Sequence, residues 1–461
     1  MFTDRCAPLL DRAKKHAEQY LHQQNDRHVG ARALREEMLE ALQSPLSIKG
    51  EDDTSIIDLL ASQAERGAIA SGSPRYFGFV IGGSSPVALA ADWLVSSWDQ
   101  NAGIYATSPL SSVIEEVAAN WIVELLGLPA QSEVGFVTGC QMANFTCLAA
   151  ARHSVLRRVG WDVEADGLMG APTVHLVTSA ESHVTIDVAF RYLGFGTRAI
   201  HRVESDDQGR MNAEKLRELL VTLNGPIIIC AQAGNVNTGA FDPLLQIGQL
   251  ASDHGAWLHI DGAFGLWARA SKTHHALAEG MELADSWATD AHKWLNVPYD
   301  CGLAIVKHAE DHRKAMTSAA AYLIQTKGLE RDAVDWVPEF SRRARGVPTY
   351  AMLRSLGRQG VEALIDNSCA RAKQIAHLLS AEPGVEILNE VVLNQVLVRF
   401  GDSDQTTRAV VTGVQNEGTC WLSGTTWHGK AAMRISVSNW GTTETDITRS
   451  AEAILKVFRE L

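Results

Sequence analysis

The sequence has no run of about 18 or more apolar residues, so no segment reads as a membrane-spanning helix. Its start, "MFTDRCAPLLDRAKKHAEQY", intersperses acids and bases and lacks the apolar centre of a secretory signal, and we expect a cytoplasmic protein. The seven cysteines contain no CxxC pair, which argues against a zinc site or a disulfide scaffold and for reduced thiols. No metal site is expected. A long basic stripe is also missing. With 41 basic and 54 acidic side chains the net charge is −13, which disfavours nucleic acid as a partner. The one basic cluster, "SRRARG" at Ser341 to Gly346, is short and reads as a solvated loop. Internal repeats and low-complexity segments are absent too. What remains is ordinary globular composition, 46% hydrophobic and 21% charged over 461 residues, enough for more than one domain.

Three stretches differ in rhythm. Residues 1–80 read as helical, with Leu34, Met38, Ala41 and Leu42 on one face and "SPL" at Ser44 to Leu46 breaking the pattern. The glycine-rich "SPRYFGFVIGGSSPVALAADW" then looks too irregular to be an element, and an amphipathic helix follows from Ser111 to Leu126. Within residues 81–345, apolar runs recur between helical patterns: "VGFVT", "TVHLVTS", "GPIIICAQ", "AWLHIDG" and "CGLAIVK". Such runs suit strands buried on both faces, and their alternation with helices predicts an α/β domain with a mostly parallel sheet. Residues 346–461 predict a smaller α+β domain: a long helix, the strands "VVLNQVLVRF" and "AAMRISVSN", and a last amphipathic helix.

Ligands bind at the carboxyl ends of the strands in such sheets. The candidates are therefore Thr138 to Asn144, Ser182 and His183, Asn235 to Thr238, Asp261, and Asp290 to Lys293. "TGCQMANFTCLAAAR" places small residues before a helix N-terminus, where backbone N–H groups suit a phosphate. Alone, this is a common feature of helix starts. Asp261, taken singly, reads as a turn residue. Together with Lys293, set between His292 and Trp294, they supply what pyridoxal phosphate requires. The phosphate needs amide donors, the ring nitrogen an acid, and the aldehyde a lysine for its Schiff base.

The ordered pieces "SPRYFGF", "ATSPLSSVIEE", "TGCQMANFTCLAAAR", "ESHVTIDVAFRYLG", "GNVNTGAFDP", "LHIDGAFG" and "DAHKWLNVPYDCG" cover most of the chain. In them the sequence resembles the group II pyridoxal-phosphate-dependent amino-acid decarboxylases, which act on aromatic amino acids, glutamate, histidine or diaminobutyrate. The resemblance implies a fold-type I α/β enzyme, a homodimer with active sites shared between subunits. It implies decarboxylation of an L-amino acid to its amine, with pyridoxal 5'-phosphate as cofactor. By the same resemblance Lys293 forms the Schiff base, Asp261 pairs with the pyridine nitrogen, and His183 stacks on the ring. Ala263 touches the ring's other face; Cys140, Gln141 and His292 help hold the phosphate; Asn235 contacts ring or substrate.

The pattern departs from the family in three places. Cys140, Gln141 and Met142 replace the small and acidic residues usual in the phosphate loop. Ala333 stands where many relatives carry the loop tyrosine that protonates the substrate α-carbon. That leaves His183, Tyr322 or Lys293 as the acid, or other fold-type I chemistry: aldehyde-forming oxidative deamination, transamination or carbon–carbon lysis. Val80, Ile81 and Gly82 give a less aromatic substrate wall, while Tyr76, Phe77 and Tyr105 read as core packing. Arg434 reads either as a holder of a substrate carboxylate or as a sheet-edge ion pair.

Overall fold

The computed structural model describes residues 2–317 and 330–461. The apolar runs become a seven-stranded sheet: β1 (Glu133–Val137), β2 (His175–Ser179), β3 (Ile200–Val203), β4 (Ile227–Gln232), β5 (Trp257–Asp261), β6 (Ser286–Asp290) and β7 (Gly302–Val306). Their order is β1-β7-β6-β5-β4-β2-β3. Pairs among β2 to β6 are parallel, while β7 runs antiparallel to both β1 and β6. Every residue of β4, β5, β6 and β7 is buried, as continuous apolar runs require. Ile229, Leu258, Ile260, Trp287 and Ile305 join the largest core cluster, each contributing about 1.5–3 kcal/mol on burial. Edge strand β3, "IHRV", lacks that continuous burial and carries no comparable sequence signal.

A second, antiparallel sheet holds β8 (Val385–Ile387), β9 (Gln395–Phe400), β10 (Ser423–Trp427) and β11 (Lys430–Ser436), ordered β10-β11-β9-β8. The helices Gly346–Ser380, Asp404–Glu417 and Glu444–Arg459 send Ile375, Val410 and Ile454 into the core beside it. The long Gly346–Ser380 segment breaks at Gly357, whose φ of 59° and ψ of −175° lie outside helical values. Among the described residues no helix is long and apolar enough to cross a membrane.

Two local expectations need correction. The region from Ser73 to Trp93 is irregular only in its first part, because Pro86–Trp98 forms a helix. Ser85 Oγ accepts the Ala88 N–H, Pro86 fills the first turn, and Ala88, Ala91 and Val95 face inward. The small apolar residues on one side gave that helix no polar stripe to read. The basic cluster is not a solvated loop either. Fully buried Arg342 donates to Glu115 at 2.9 Å and to the Ala102 and Phe136 carbonyls. Arg343 pairs with Asp92 and Arg345 with Asp300, so three guanidiniums bind this segment to the helices before the sheet and to the loop after β6.

Candidate active site

All the strand ends chosen from sequence open on one edge of the large sheet. β5 ends in Asp261 and β6 in Asp290, held together by the Asp290 N–H donating to the Ala263 carbonyl at 2.9 Å. Lys293 follows in the next turn, and its Nζ lies 2.9 Å from Asp290 Oδ2. Burial lowers the pKa of that amine, but Asp290 together with Cys140 and Asp261 outweighs it, and Lys293 is held above the ordinary lysine value.

The Lys293 loop is fixed from below. Asn296, fully buried and left-handed at φ 56°, accepts the N–H groups of Gly83 at 2.6 Å and Trp440 at 3.0 Å. Its amide donates to the carbonyls of Trp294 and Ser438, so one side chain ties the loop to two distant segments with every polar site used. Gly82 packs directly on Lys293, since a Cβ there would stand 1.8 Å from the Lys293 carbonyl oxygen. Just before it, Phe79 (φ 54°) and Val80 (φ 53°) are both left-handed, a costly conformation for a β-branched residue. Thus "FVIGG" is a backbone support as well as a candidate wall. Tyr76 and Phe77 are buried as core, and Tyr105 is half-buried in a short 3-10 turn.

Opposite Lys293, helix Cys140–Arg157 begins at Gly139 with no side-chain cap. Among the described residues no side chain accepts its first N–H groups, which lie at the strand-end edge, where such amides are able to hold an anion. Cys140 is buried, whereas the Gln141 side chain is exposed. A Cβ on Gly139 would lie 3.2 Å from His292 Cε1, which brings His292 to the same helix start. His292 Nδ1 accepts the Cys301 N–H at 3.1 Å, so the neutral ring carries its proton on Nε2. Burial lowers the His292 pKa, favouring that neutral form, and the Tyr299 ring lies on the imidazole at 4.2 Å.

Asp261 is held by three hydrogen bonds. Oδ1 accepts from the Cys140 thiol (3.5 Å) and the Ala263 N–H (3.2 Å), and Oδ2 accepts from Asn144 Nδ2 (3.2 Å). His183 caps helix Val184–Tyr192; its Nδ1 faces Thr185 Oγ1 at 2.8 Å, and burial pushes its pKa down. Asn235 is buried but occupied: Oδ1 accepts the N–H groups of Asn237 and Thr238, and Nδ2 donates to the Glu181 carbonyl. Asn144 ends the strand-end candidate range from Thr138, whereas Thr185, His259 and Asn296 carry no separate sequence motif, and only their contacts mark them. Ala333 is 6% exposed on a short 3-10 turn beneath the Gly103 segment, and Tyr322 lies outside the described residues.

Arg434, on β11, is 9% exposed, and its guanidinium forms no hydrogen bond or ion pair with any described residue; its buried Nε lacks a partner. Among the described residues there is therefore no sheet-edge ion pair. Its charge adds to the lowering of the His183 pKa, which sets it toward the site.

These residues fit pyridoxal phosphate. The helix start offers uncapped amides, and an ionised carboxylate with about four acceptor positions retains room at Asp261 after three bonds. Lys293 keeps 21% side-chain exposure beside both.

The sequence profile of the pyridoxal-dependent decarboxylase conserved domain matches residues 36–400. The chain belongs to this family. Aromatic-L-amino-acid decarboxylase of Bacillus atrophaeus is 27% identical over 385 residues, covering 80% of this chain and 78% of that protein. L-2,4-diaminobutyrate decarboxylase of Rhizobium meliloti is 28% identical over 387 residues, covering 81% and 76%. The crystal structure of Oryza sativa TDC with PLP and tryptamine superposes with a TM-score of 0.92 at 21% identity, over 99% of this chain and 98% of that one. This pyridoxal-dependent decarboxylase family member is a carboxy-lyase that uses pyridoxal phosphate to decarboxylate an amino acid.

Proposed function

We propose that Lys293 is the covalent anchor of the cofactor, Asp261 the partner of its ring nitrogen, and His183 and Ala263 the groups on its two faces. One observation carries this reading: the amine of Lys293, the carboxylate of Asp261 and the uncapped start of helix Cys140–Arg157 meet at one edge of one sheet. Bound pyridoxal phosphate supplies an electron sink for the bond broken at the substrate α-carbon. The backbone at Cys140 and Gln141, with the Nε2 proton of His292, binds the phosphate. Asp261 keeps the ring nitrogen protonated, because a carboxylate favours a positive neighbour. Asn235 lies in the turn beside the Glu181 carbonyl and borders the site through its backbone and amide.

The substrate is an L-amino acid whose carboxylate is met by Arg434. A buried, unpaired guanidinium is costly, and a ligand carboxylate relieves that cost. With Ala333 buried, Lys293 and His183 are the described candidates for delivering a proton to the α-carbon.

The protein works as a cytoplasmic homodimer with shared sites. Trp93, Leu94, Trp98, Leu110 and Val113 leave large apolar surfaces exposed on helices Pro86–Trp98 and Pro109–Leu125, and a second copy of the chain covers them. Residues 1–80, 81–345 and 346–461 form its N-terminal helical segment, cofactor-binding domain and small domain.

The test is a panel of L-amino acids, including diaminobutyrate, incubated with the holoenzyme and scored for carbon dioxide, amine, keto acid, ammonia and peroxide. Carbon dioxide with amine from one substrate, lost in Lys293→Ala together with the cofactor's bound absorbance, is the expected result. Peroxide and ammonia with an aldehyde would assign oxidative deamination instead. Normal turnover by Lys293→Ala would remove Lys293 from its role.

A further inference from the structure

Behind Asp261 runs a chain of buried hydrogen bonds whose every donor is fixed by chemistry. The Trp257 Nε1–H donates to Ser286 Oγ at 2.9 Å, since an indole has no acceptor. Asp261, at the other end, accepts from Asn144 Nδ2, so Asn144 presents its oxygen to His259. The contact between Asn144 Oδ1 and His259 Nε2, 2.9 Å, then requires the imidazole proton on Nε2. His259 Nδ1 becomes the acceptor, and the Ser286 hydroxyl, 2.9 Å away, gives it its proton. Burial lowers the His259 pKa to about 4, so the ring is neutral and only this tautomer satisfies both neighbours.

The chain branches at Asn144. The second hydrogen of its amide reaches Thr185 Oγ1 at 3.3 Å. Thr185 Oγ1 in turn lies 2.8 Å from His183 Nδ1, and because the same nitrogen accepts the Thr185 N–H at 3.4 Å, the hydroxyl donates its hydrogen to the imidazole. His183 is thereby left with its proton on Nε2. A single amide thus bonds both the carboxylate of Asp261 and the hydroxyl that faces His183, groups that belong to different strand ends.

We propose that His259 is a positioning residue which, through Asn144, orients Asp261 toward the cofactor's ring nitrogen and, through Thr185, fixes His183 against the ring. This rests on the cofactor roles assigned above to Asp261 and His183. His259 touches neither cofactor nor substrate: it is fully buried and shields the relay from water, with Trp257 and Ser286 closing its far side. If the imidazole were only core filling, polar replacements of it would differ in packing alone. The relay demands more, namely a hydrogen-bond donor at the place of Nε2.

Two variants separate these roles. His259→Gln carries an amide nitrogen at about the reach of Nε2, whereas His259→Asn reaches only about as far as Nδ1. Three readouts apply: the dissociation constant for pyridoxal phosphate, the pH titration of its bound absorbance, and the melting temperature of the cofactor-free protein. We expect His259→Gln to keep cofactor affinity within about twofold. His259→Asn should bind about tenfold more weakly, the cost of leaving the Asn144 oxygen without its donor, and should shift the titration beyond any change in apo-protein melting. Equal behaviour of the two variants, or a loss in Asn that follows its melting temperature, overturns the relay. Asp261→Ala is the reference. If it leaves the titration unchanged, the assigned role of Asp261 fails; if it alone shifts the titration, only the relay fails.

Discussion

Adding one methyl group at Gly82 tests how tightly the Lys293 loop is held. The Cβ of Gly82→Ala would sit 1.8 Å from the Lys293 carbonyl oxygen, 2.9 Å from its carbonyl carbon and 3.3 Å from Asn296 Cγ. Ordinary contact requires more than an additional ångström, and the obstacle is backbone rather than the end of a flexible side chain. The two segments cannot simply part, because Asn296 Oδ1 binds Gly83 N at 2.6 Å and its amide binds the Trp294 and Ser438 carbonyls. Separation therefore stretches bonds that leave buried groups unpaired, and we expect overpacking to cost about 1–3 kcal/mol. On the role proposed for Lys293 the larger effect falls on chemistry, since a shift of about 1 Å in a reacting group costs about 100-fold in rate. The assay compares kcat and retained cofactor absorbance in Gly82→Ala with Gly50→Ala, where a Cβ meets nothing within 4 Å. A Gly82→Ala enzyme within about twofold of the parent kcat would refute the reasoning, for the loop would then have yielded without moving Lys293.

Three other perturbations have defined outcomes. Asp290 holds the Lys293 pKa above its ordinary value against the effect of burial, so Asp290→Asn should move the pH profile of covalent cofactor uptake by the apo-protein toward lower pH; an unmoved profile, read from absorbance growth, would deny Asp290 this control. Arg434→Met removes an unpaired buried cation, so we expect an unchanged or raised melting temperature together with a KM raised about tenfold or more; a lower melting temperature with unchanged KM would show the guanidinium to be structural. Arg342→Met leaves Glu115 buried without its partner and should cost about 3–5 kcal/mol in denaturant unfolding; a loss under about 1 kcal/mol would contradict the buried pair.

Much of this architecture is local and therefore readable from the chain. Runs such as "PIIIC" are buried on both faces and are written in apolar letters, while "WLHID" is equally buried but places His259 and Asp261 together on one face. Asp261, Asp290 and Lys293 stand immediately after such runs, where a parallel sheet exposes its strand ends, so their meeting follows from topology. The elements that escaped notice carry weaker marks. β3, β8 and β10 are short and incompletely buried, and helix Pro86–Trp98 hides behind a glycine-rich turn. The basic cluster misled because a run of arginines looks alike in water and in a buried network; Glu115, Asp92 and Asp300 are far from it in sequence.

The sequence by itself determined the cofactor chemistry, because the lysine, the aspartate and the helix start each sit in a short segment whose neighbours set its conformation. Tertiary structure alone decided how those groups are held. The carboxylate of Asp261 depends on Asn144 and Cys140, 117 and 121 residues away. The absence of any partner for Arg434 among the described residues and the contact of Gly82 with Lys293 are likewise decided by what packs around them. Hydrogen-bond direction and close approach are properties of pairs, and a linear pattern records only the members.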